Sequence, residues 1–412
     1  MLYWYALIQY RVNQIGSLSI MQVFGIFGNT RKFQPIQPLH YQVRSSTSHT
    51  QAPGTQTPMT DLLNVAVIGT GYWGKHYVRI LNSTNHQCAL AVDANQAALS
   101  KIEQNCPAME GKTSTTLEDA IQIDNNIQAL IVVTPAATHY QVVKAALLSG
   151  KHVLVEKPLT LNSNHATELI RLAQEKNLQL MVGHTFLFNS SVWHLDTILR
   201  DRVLFGDLRY ISARRTNLGP VRNDCSVLWD LAPHDISIIL ALNHGSKPIQ
   251  ISCTGQSVLS NSIHIDVAFL TITFDNNTIA HIHVSWCDPH KVREITAIGS
   301  KMKVTFNDMD DHPITCFHQS ANVDPQNQER NIFSDGAVVK PVVAASEPLN
   351  NQVVDFLGRC SGHGAGSSGA PKHMSSVNET IGSTVVQLLA AAEKSVENGG
   401  TPVDLLSNQG GV

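Results

Sequence analysis

Asn64-Val65-Ala66-Val67-Ile68-Gly69-Thr70-Gly71-Tyr72-Trp73-Gly74 is the stretch that decides the fold. A short apolar run ends on Gly69, and Tyr77, Ile80, Leu81 and Thr84 then recur at helical spacing over 73–84. A buried parallel strand that passes through G-x-G-x-x-G into a helix is the context in which this pattern grips a dinucleotide. Gly69 permits the tight turn. Gly71 lets the backbone approach a pyrophosphate seated on the helix N-terminus, and Gly74 lets helix and strand pack closely. The loop residues Gly69, Gly71, Tyr72, Trp73 and Gly74 are therefore read as cofactor-binding. A second apolar run, Cys88–Val92, ends at Asp93, 19 residues after Gly74. The Asp93 carboxylate can accept hydrogen bonds from the adenosine ribose hydroxyls and repels a 2′-phosphate. Ala94 and Asn95 supply no arginine to bind such a phosphate, so NAD is preferred over NADP.

Working outward, Ile127–Val133, Val153–Val155 and Leu178–Val182 read as further strands, and 95–105 and 162–176 as helices. Thr116 is expected to cap a short helix through Ile121. Thr138 with Gln141 fits a capping box that opens a helix ending at Gly150. Alternating strands and helices with short turns predict a doubly wound parallel sheet, a Rossmann domain over 60–185. The style then changes. Helices near 190–200 and 226–243 precede long β-branched runs at 249–258, 264–274, 278–286 and 293–306, and Asp275-Asn276-Asn277 is a hairpin-turn signal. This predicts an α+β domain over 186–405 with a large open, mainly antiparallel sheet. Residues 318–346 read as polar and irregular, 361–371 as a flexible Gly/Ser insertion, and 376–397 as a final helix.

The chain has 412 residues, room for two domains, and 43% of them are hydrophobic. A net charge of -3 argues against nucleic-acid binding. The seven cysteines are odd in number and lack C-x-x-C spacing, which points to free thiols in a reducing, cytoplasmic setting, with no disulfide framework and no metal site. No run reaches the ~18 apolar residues of a membrane helix. Residues 1–60 contain no Asp or Glu and many Ser, Thr and Gln. Either 1–58 is an organelle transit segment or translation starts at Met59; the extension is set apart from the fold in both cases.

Two further motifs carry chemistry. Glu156-Lys157-Pro158 follows the carboxyl end of a strand, where the ligand crevice of an open α/β sheet lies. Pro158 biases Lys157 to an extended conformation and makes their peptide a candidate for cis. Lys157 can donate to a substrate hydroxyl and stabilise a developing alkoxide. In Trp229-Asp230-Leu231-Ala232-Pro233-His234-Asp235, Asp230 and His234 are four apart and share a face if the helix survives Pro233. A histidine oriented by a carboxylate is a suitable general base near neutral pH. Asp235 reads as structural.

As a set, in order, GTGYWG at 69–74, Asp93, VVTPAATHY at 132–140, EKP at 156–158 and WDLAPHD at 229–235 resemble the glucose–fructose oxidoreductase / inositol dehydrogenase (Gfo/Idh/MocA) family. The resemblance spans about 62–405. It implies a Rossmann domain followed by a domain with an open sheet whose broad face makes a homo-oligomer, a dimer or tetramer. It implies Lys157, Asp230 and His234 as a catalytic trio, with Asp230 orienting His234. It places Thr134, Pro135 and His139 along the ribose and nicotinamide, and Glu156 near the nicotinamide. Residues 214–222 resemble members associated with nucleotide-sugar genes, which makes Arg215, Asn217 and Arg222 candidates to hold a substrate carboxylate or phosphate. The function implied is hydride transfer between NAD and a secondary hydroxyl of a sugar or nucleotide sugar. A free inositol or monosaccharide is the alternative substrate. A non-catalytic NAD-binding sensor is the alternative class, disfavoured because the trio is retained.

Overall fold

A computed structural model describes residues 62–122, 126–259, 264–318, 320–334 and 336–405. The expectations for residues 1–58 lie outside the described residues.

The first half builds one parallel sheet. Strands β1 (Asn64–Ile68), β2 (Gln87–Val92), β3 (Thr113–Ser114), β4 (Ala129–Val132), β5 (His152–Glu156) and β6 (Leu180–Gly183) lie in the order β3-β2-β1-β4-β5-β6. The chain winds outward in both directions from β1, so the switch point falls between β1 and β4. The crossovers are α1 (Gly74–Leu81), α2 (Gln96–Asn105), α3 (Glu118–Ile121), α4 (Ala136–Leu148) and α5 (Ser163–Glu175). Strands covered on both faces must be apolar throughout, and every residue of β4 is buried. The helix expected to start behind Thr138 begins at Ala136, two residues before that threonine. The Thr138 hydroxyl turns back to Thr134 Oγ1 and Pro135 O, both at 2.8 Å, so no capping box forms. Leu117, with no side-chain cap, takes the place expected for Thr116 before α3.

After Gly183 come a short 3-10 turn, Thr185–Phe188, then α6 (Ser190–Arg200), β7 (Leu208–Leu218) and α7 (Val227–Leu242). Strands β8 (Pro248–Gln256), β9 (Val267–Phe274), β10 (Ile279–Ser285), β11 (Cys287–Gly299), β12 (Lys303–Asn307) and β13 (Ile314–Phe317) follow. A small hairpin, β14 (Ser320–Asp324) with β15 (Asn327–Ser334), and β16 (Val338–Val339) occupy the region expected to be irregular. Helices α8 (Pro348–Cys360) and α9 (Lys372–Glu397) and strand β17 (Val403–Asp404) complete the described chain.

The second sheet has nine strands in the order β16-β13-β12-β11-β7-β10-β9-β8-β17, antiparallel except where β10 runs parallel to β7. Asn277 takes a positive φ of 63° in the β9–β10 turn, as the Asn-rich signal requires. The run expected as one strand over 293–306 is two, folded at Gly299, whose N–H bonds Met302 O at 2.9 Å. The stretch 361–371 is not loose among its neighbours: Gly366 N–H donates to the buried Asp355 carboxylate at 2.7 Å and Ala370 is buried. One face of the large sheet lies under α7 and α9, while Tyr210, Phe269 and Ile279 stand exposed on the other.

Candidate active site

The glycine loop carries the space a dinucleotide needs. Gly69 has φ +92°, and a Cβ there would sit 2.7 Å from Val133 O, because the loops after β1 and β4 press together at the switch point. A Cβ on Gly74 would collide with Gly69 O at 1.9 Å, whereas Gly71 has nothing within 4 Å and leaves its side open. Asp93 Oδ2 accepts from Thr70 N–H at 2.7 Å and Thr70 Oγ1 at 3.0 Å, and Oδ1 accepts from Asn95 N–H at 2.9 Å. The carboxylate is thus fixed beside the loop with lone-pair capacity left on Oδ1 for a ribose hydroxyl. These residues fit the dinucleotide implied by the sequence.

Two residues expected along the cofactor make hydrogen bonds within the protein. His139 is buried, its Nδ1 2.8 Å from Pro158 O and its Nε2 2.9 Å from Thr134 O. It ties the β4 loop to the β5 loop. Glu156 is buried too. Its Oε1 accepts from Trp73 Nε1 at 2.7 Å and Tyr77 OH at 2.6 Å, and its Oε2 from Lys157 N–H at 3.1 Å. Burial and the Glu156 carboxylate hold the Tyr77 phenol well above its ordinary pKa, so the phenol remains a donor. Thr134 is partly exposed and Pro135 exposed at the carboxyl end of β4.

Lys157 lies just past β5, with a cis peptide to Pro158. Its Nζ donates to Asp230 O at 2.7 Å and pairs with Asp230 Oδ1 at 3.3 Å. Helix α7 continues through Pro233, so Asp230 and His234 keep their shared face. Proline removes the bond to the carbonyl four residues back, that of Trp229, and Lys157 reaches the adjacent carbonyl of this weakened turn. Asp230 does not orient His234 as expected. Its carboxylate serves Lys157 and, at 3.4 Å, Arg222 NH1. His234 packs edge-on against Phe186, ring centroids 5.4 Å apart, and its buried Nδ1 has no hydrogen-bond partner. Burial first, then the cations Lys157 and Arg215, hold the His234 pKa well below its ordinary value.

Of the three substrate candidates, Arg215 is a correction. It is buried, its Nε and NH2 bind Asp235 at 2.8 and 2.9 Å, and its guanidinium stacks 4.4 Å over the Phe186 ring. A guanidinium spent on a buried carboxylate cannot also present a fork to substrate. Asn217 closes its own turn by donating to Gly219 O. Arg222 remains half exposed beside Asp230, held by Asp224 at 2.7 Å. Sequence reasoning missed Phe186, which packs on the His234 ring, Arg293, which lies over Phe186, and His184, whose charge bears on His234. For His184 a signal existed: it is the first residue past the carboxyl end of a parallel strand.

A glycine cradle at a switch point, with a lysine held at the next strand end, defines an NAD-binding oxidoreductase. The chain belongs to the GFO/IDH/MocA family: the family model for an oxidoreductase with an NAD-binding Rossmann fold matches residues 63–184, and that for the GFO/IDH/MocA C-terminal domain matches 201–305. The chain is similar to the UDP-N-acetylglucosamine 3-dehydrogenase of Acidithiobacillus ferrooxidans, 26% identical over 314 residues covering 73% of this chain and 90% of that protein. It is also similar to the dTDP-3,4-didehydro-2,6-dideoxy-alpha-D-glucose 3-reductase of Streptomyces antibioticus, 31% identical over 207 residues, 50% of this chain and 58% of that one. Among solved structures, GenD2 from gentamicin A biosynthesis in complex with NAD shares the fold, with TM-score 0.68, 22% identity, and coverage of 86% of this chain and 99% of that one.

Proposed function

We propose that this oxidoreductase moves hydride between NAD and a secondary hydroxyl of a sugar, in particular a nucleotide sugar, with Lys157 and His234 as its proton-handling residues. The reading rests on one observation above the others: the Lys157 ammonium is held by Asp230 at the mouth of the dinucleotide crevice, and His234 shares the helix face of Asp230. The cofactor, when bound, supplies the hydride acceptor or donor. The chain does the rest. Lys157 donates to the reacting oxygen and stabilises the negative charge that develops there. His234, kept neutral, takes the hydroxyl proton in the oxidative direction. Asp230 keeps Lys157 aimed. The names of the two relatives support a nucleotide sugar as substrate. Arg222, half exposed beside Asp230, supports an anionic group on it.

Lys157→Ala should cut turnover of UDP-N-acetylglucosamine or a related UDP- or dTDP-sugar by orders of magnitude and leave NAD affinity within about twofold. Full activity in that variant sinks the assignment. Sugar-nucleotide turnover that survives Arg222→Ala would remove the support this arginine gives to an anionic substrate, and turnover of free sugars alone would overturn the nucleotide-sugar reading. Tyr210, Phe269 and Ile279 on the open sheet face support pairing of copies through that face. Seven free thiols support a reducing, cytoplasmic setting, and no helix among the described residues is long and apolar enough to cross a membrane.

A further inference from the structure

We infer that His184, rather than Asp230, is the positioning partner of His234, holding its ring and tautomer from the buried side. The inference rests on the reading of His234 as the proton acceptor. A histidine that accepts a proton at Nε2 carries its own hydrogen on Nδ1, and that N–H needs an acceptor to fix the ring. In His234 this nitrogen is buried and unpartnered. Asp230 does not bond it: its Oδ1 binds Lys157 and Arg222, and no hydrogen bond joins Asp230 to His234 Nδ1.

The groups whose charge bears most on His234 are Lys157 from the end of β5, Arg215 from β7, Arg293 from β11 and His184 from the end of β6, while the carboxylates on its own helix, Asp230 and Asp235, are engaged by Lys157 and Arg215. Lysine and arginine carry donors only, so His184 alone among them can accept. It is placed to do so. Gly183 is the register partner of Glu156, which sets His184 beside Lys157 where the two parallel strands end. Two residues further on, Phe186 meets the His234 ring. His184 is 1% exposed, and neither of its ring nitrogens has a partner. Burying a polar atom unpaired is costly, and such groups are kept where they have work to do. No direct hydrogen bond joins His184 to His234 Nδ1, so it is one bridging water that lets the unpaired nitrogens of the two rings satisfy each other.

A neutral partner differs from a carboxylate. Burial, aided by Lys157, pushes the His184 pKa down to about 3, so this acceptor stays uncharged. It fixes the tautomer without stabilising the imidazolium, and His234 remains an unprotonated base in mildly acidic solution. A carboxylate at the same place would raise the pKa of His234.

The test is nitrogen-15 NMR of histidine-labelled full-length protein, with the His234 signals assigned by their loss in His234→Gln. In the parent protein His234 should hold the Nδ1–H tautomer through pH 5. His184→Phe should mix the tautomers, with His184→Asn as the milder variant and retained NAD binding as the check on folding. His184→Asp should move the His234 midpoint up by about one unit or more, a tenfold or greater gain in proton affinity. An unchanged tautomer and midpoint in all three variants overturns the inference. That failure is distinct from failure of the functional reading, which shows as hydride transfer surviving both Lys157→Ala and His234→Ala.

Discussion

Glu156 Oε1 lies 2.7 Å from Trp73 Nε1, so the residue before Lys157 grips the glycine loop from inside. The same oxygen takes the Tyr77 hydroxyl, and that hydroxyl accepts in turn from Gln352 Nε2 on α8 at 3.3 Å. The cofactor loop, the lysine segment and a C-terminal helix therefore meet at one buried carboxylate. Glu156→Gln keeps the shape but weakens two charge-assisted bonds, each of which contributes about 1.5–3 kcal/mol. It also sets an amide N–H against Lys157 N–H. We expect a lower Tm and an NAD Kd raised about tenfold, measured by calorimetry, with a smaller change for Tyr77→Phe. Equal NAD affinity in parent and Glu156→Gln would refute this coupling.

Arg215 and Asp235 form a bidentate pair, with side chains 5% and 0% exposed. Removing one partner of such a pair strands the other charge, at a cost of about 3–5 kcal/mol. Arg215→Met should therefore act on stability first, shifting the urea midpoint, and Arg215→Met with Asp235→Leu should recover much of the loss. An arginine that served substrate directly would give the opposite pattern, a raised KM at constant stability.

The same residue explains what the sequence did and did not disclose. β1, β4 and β5 were legible because strands covered on both faces are apolar throughout, and the glycine loop was legible because only glycine fits its close approaches. β7, the central strand of the second sheet, passed unread because Arg215 stands at an inward position beside Ile211 and Ala213. Its partner Asp235 comes from a helix 20 residues later, and no local pattern announces that pairing. Likewise the Asp230–His234 spacing was read correctly as one helix face, yet spacing along a helix is silent about Lys157, which arrives from another sheet and takes the carboxylate. The end of β6 marked the place of His184, but its importance lies in what it fails to bond, which no local pattern announces.

Buried histidines give the fold a defined acid sensitivity. Burial lowers the pKa of His139, His152 and His234 and takes that of His184 to about 3. The unfolded chain binds these protons near pH 6.5 and the folded chain resists them, so below that pH the unfolded state holds more protons. Stability must then fall as pH drops from about 6.5 toward about 3, by up to about 1.4 kcal/mol per pH unit for each such histidine. Urea midpoints between pH 7 and 4.5 should decline steadily, and His184→Phe should flatten the decline. A midpoint independent of pH in that window would contradict the burial of these rings.

The glycine loop separates folding from binding at two positions three residues apart. A Cβ on Gly74 would meet Gly69 O at 1.9 Å, backbone against backbone, with no flexible side chain to give way. Gly74→Ala should force α1 off β1 and destabilise the whole parallel sheet, with lower Tm and loss of NAD binding together. A Cβ on Gly71 meets nothing within 4 Å, so Gly71→Ala should fold with a Tm close to that of the parent. What that methyl does occupy is the open side of the loop, where the pyrophosphate must reach the backbone. We expect an NAD Kd raised about tenfold or more at unchanged stability, from calorimetry and thermal melts on the same samples. If Gly71→Ala binds NAD as tightly as the parent, the pyrophosphate does not pass over this residue and the cradle has been placed wrongly.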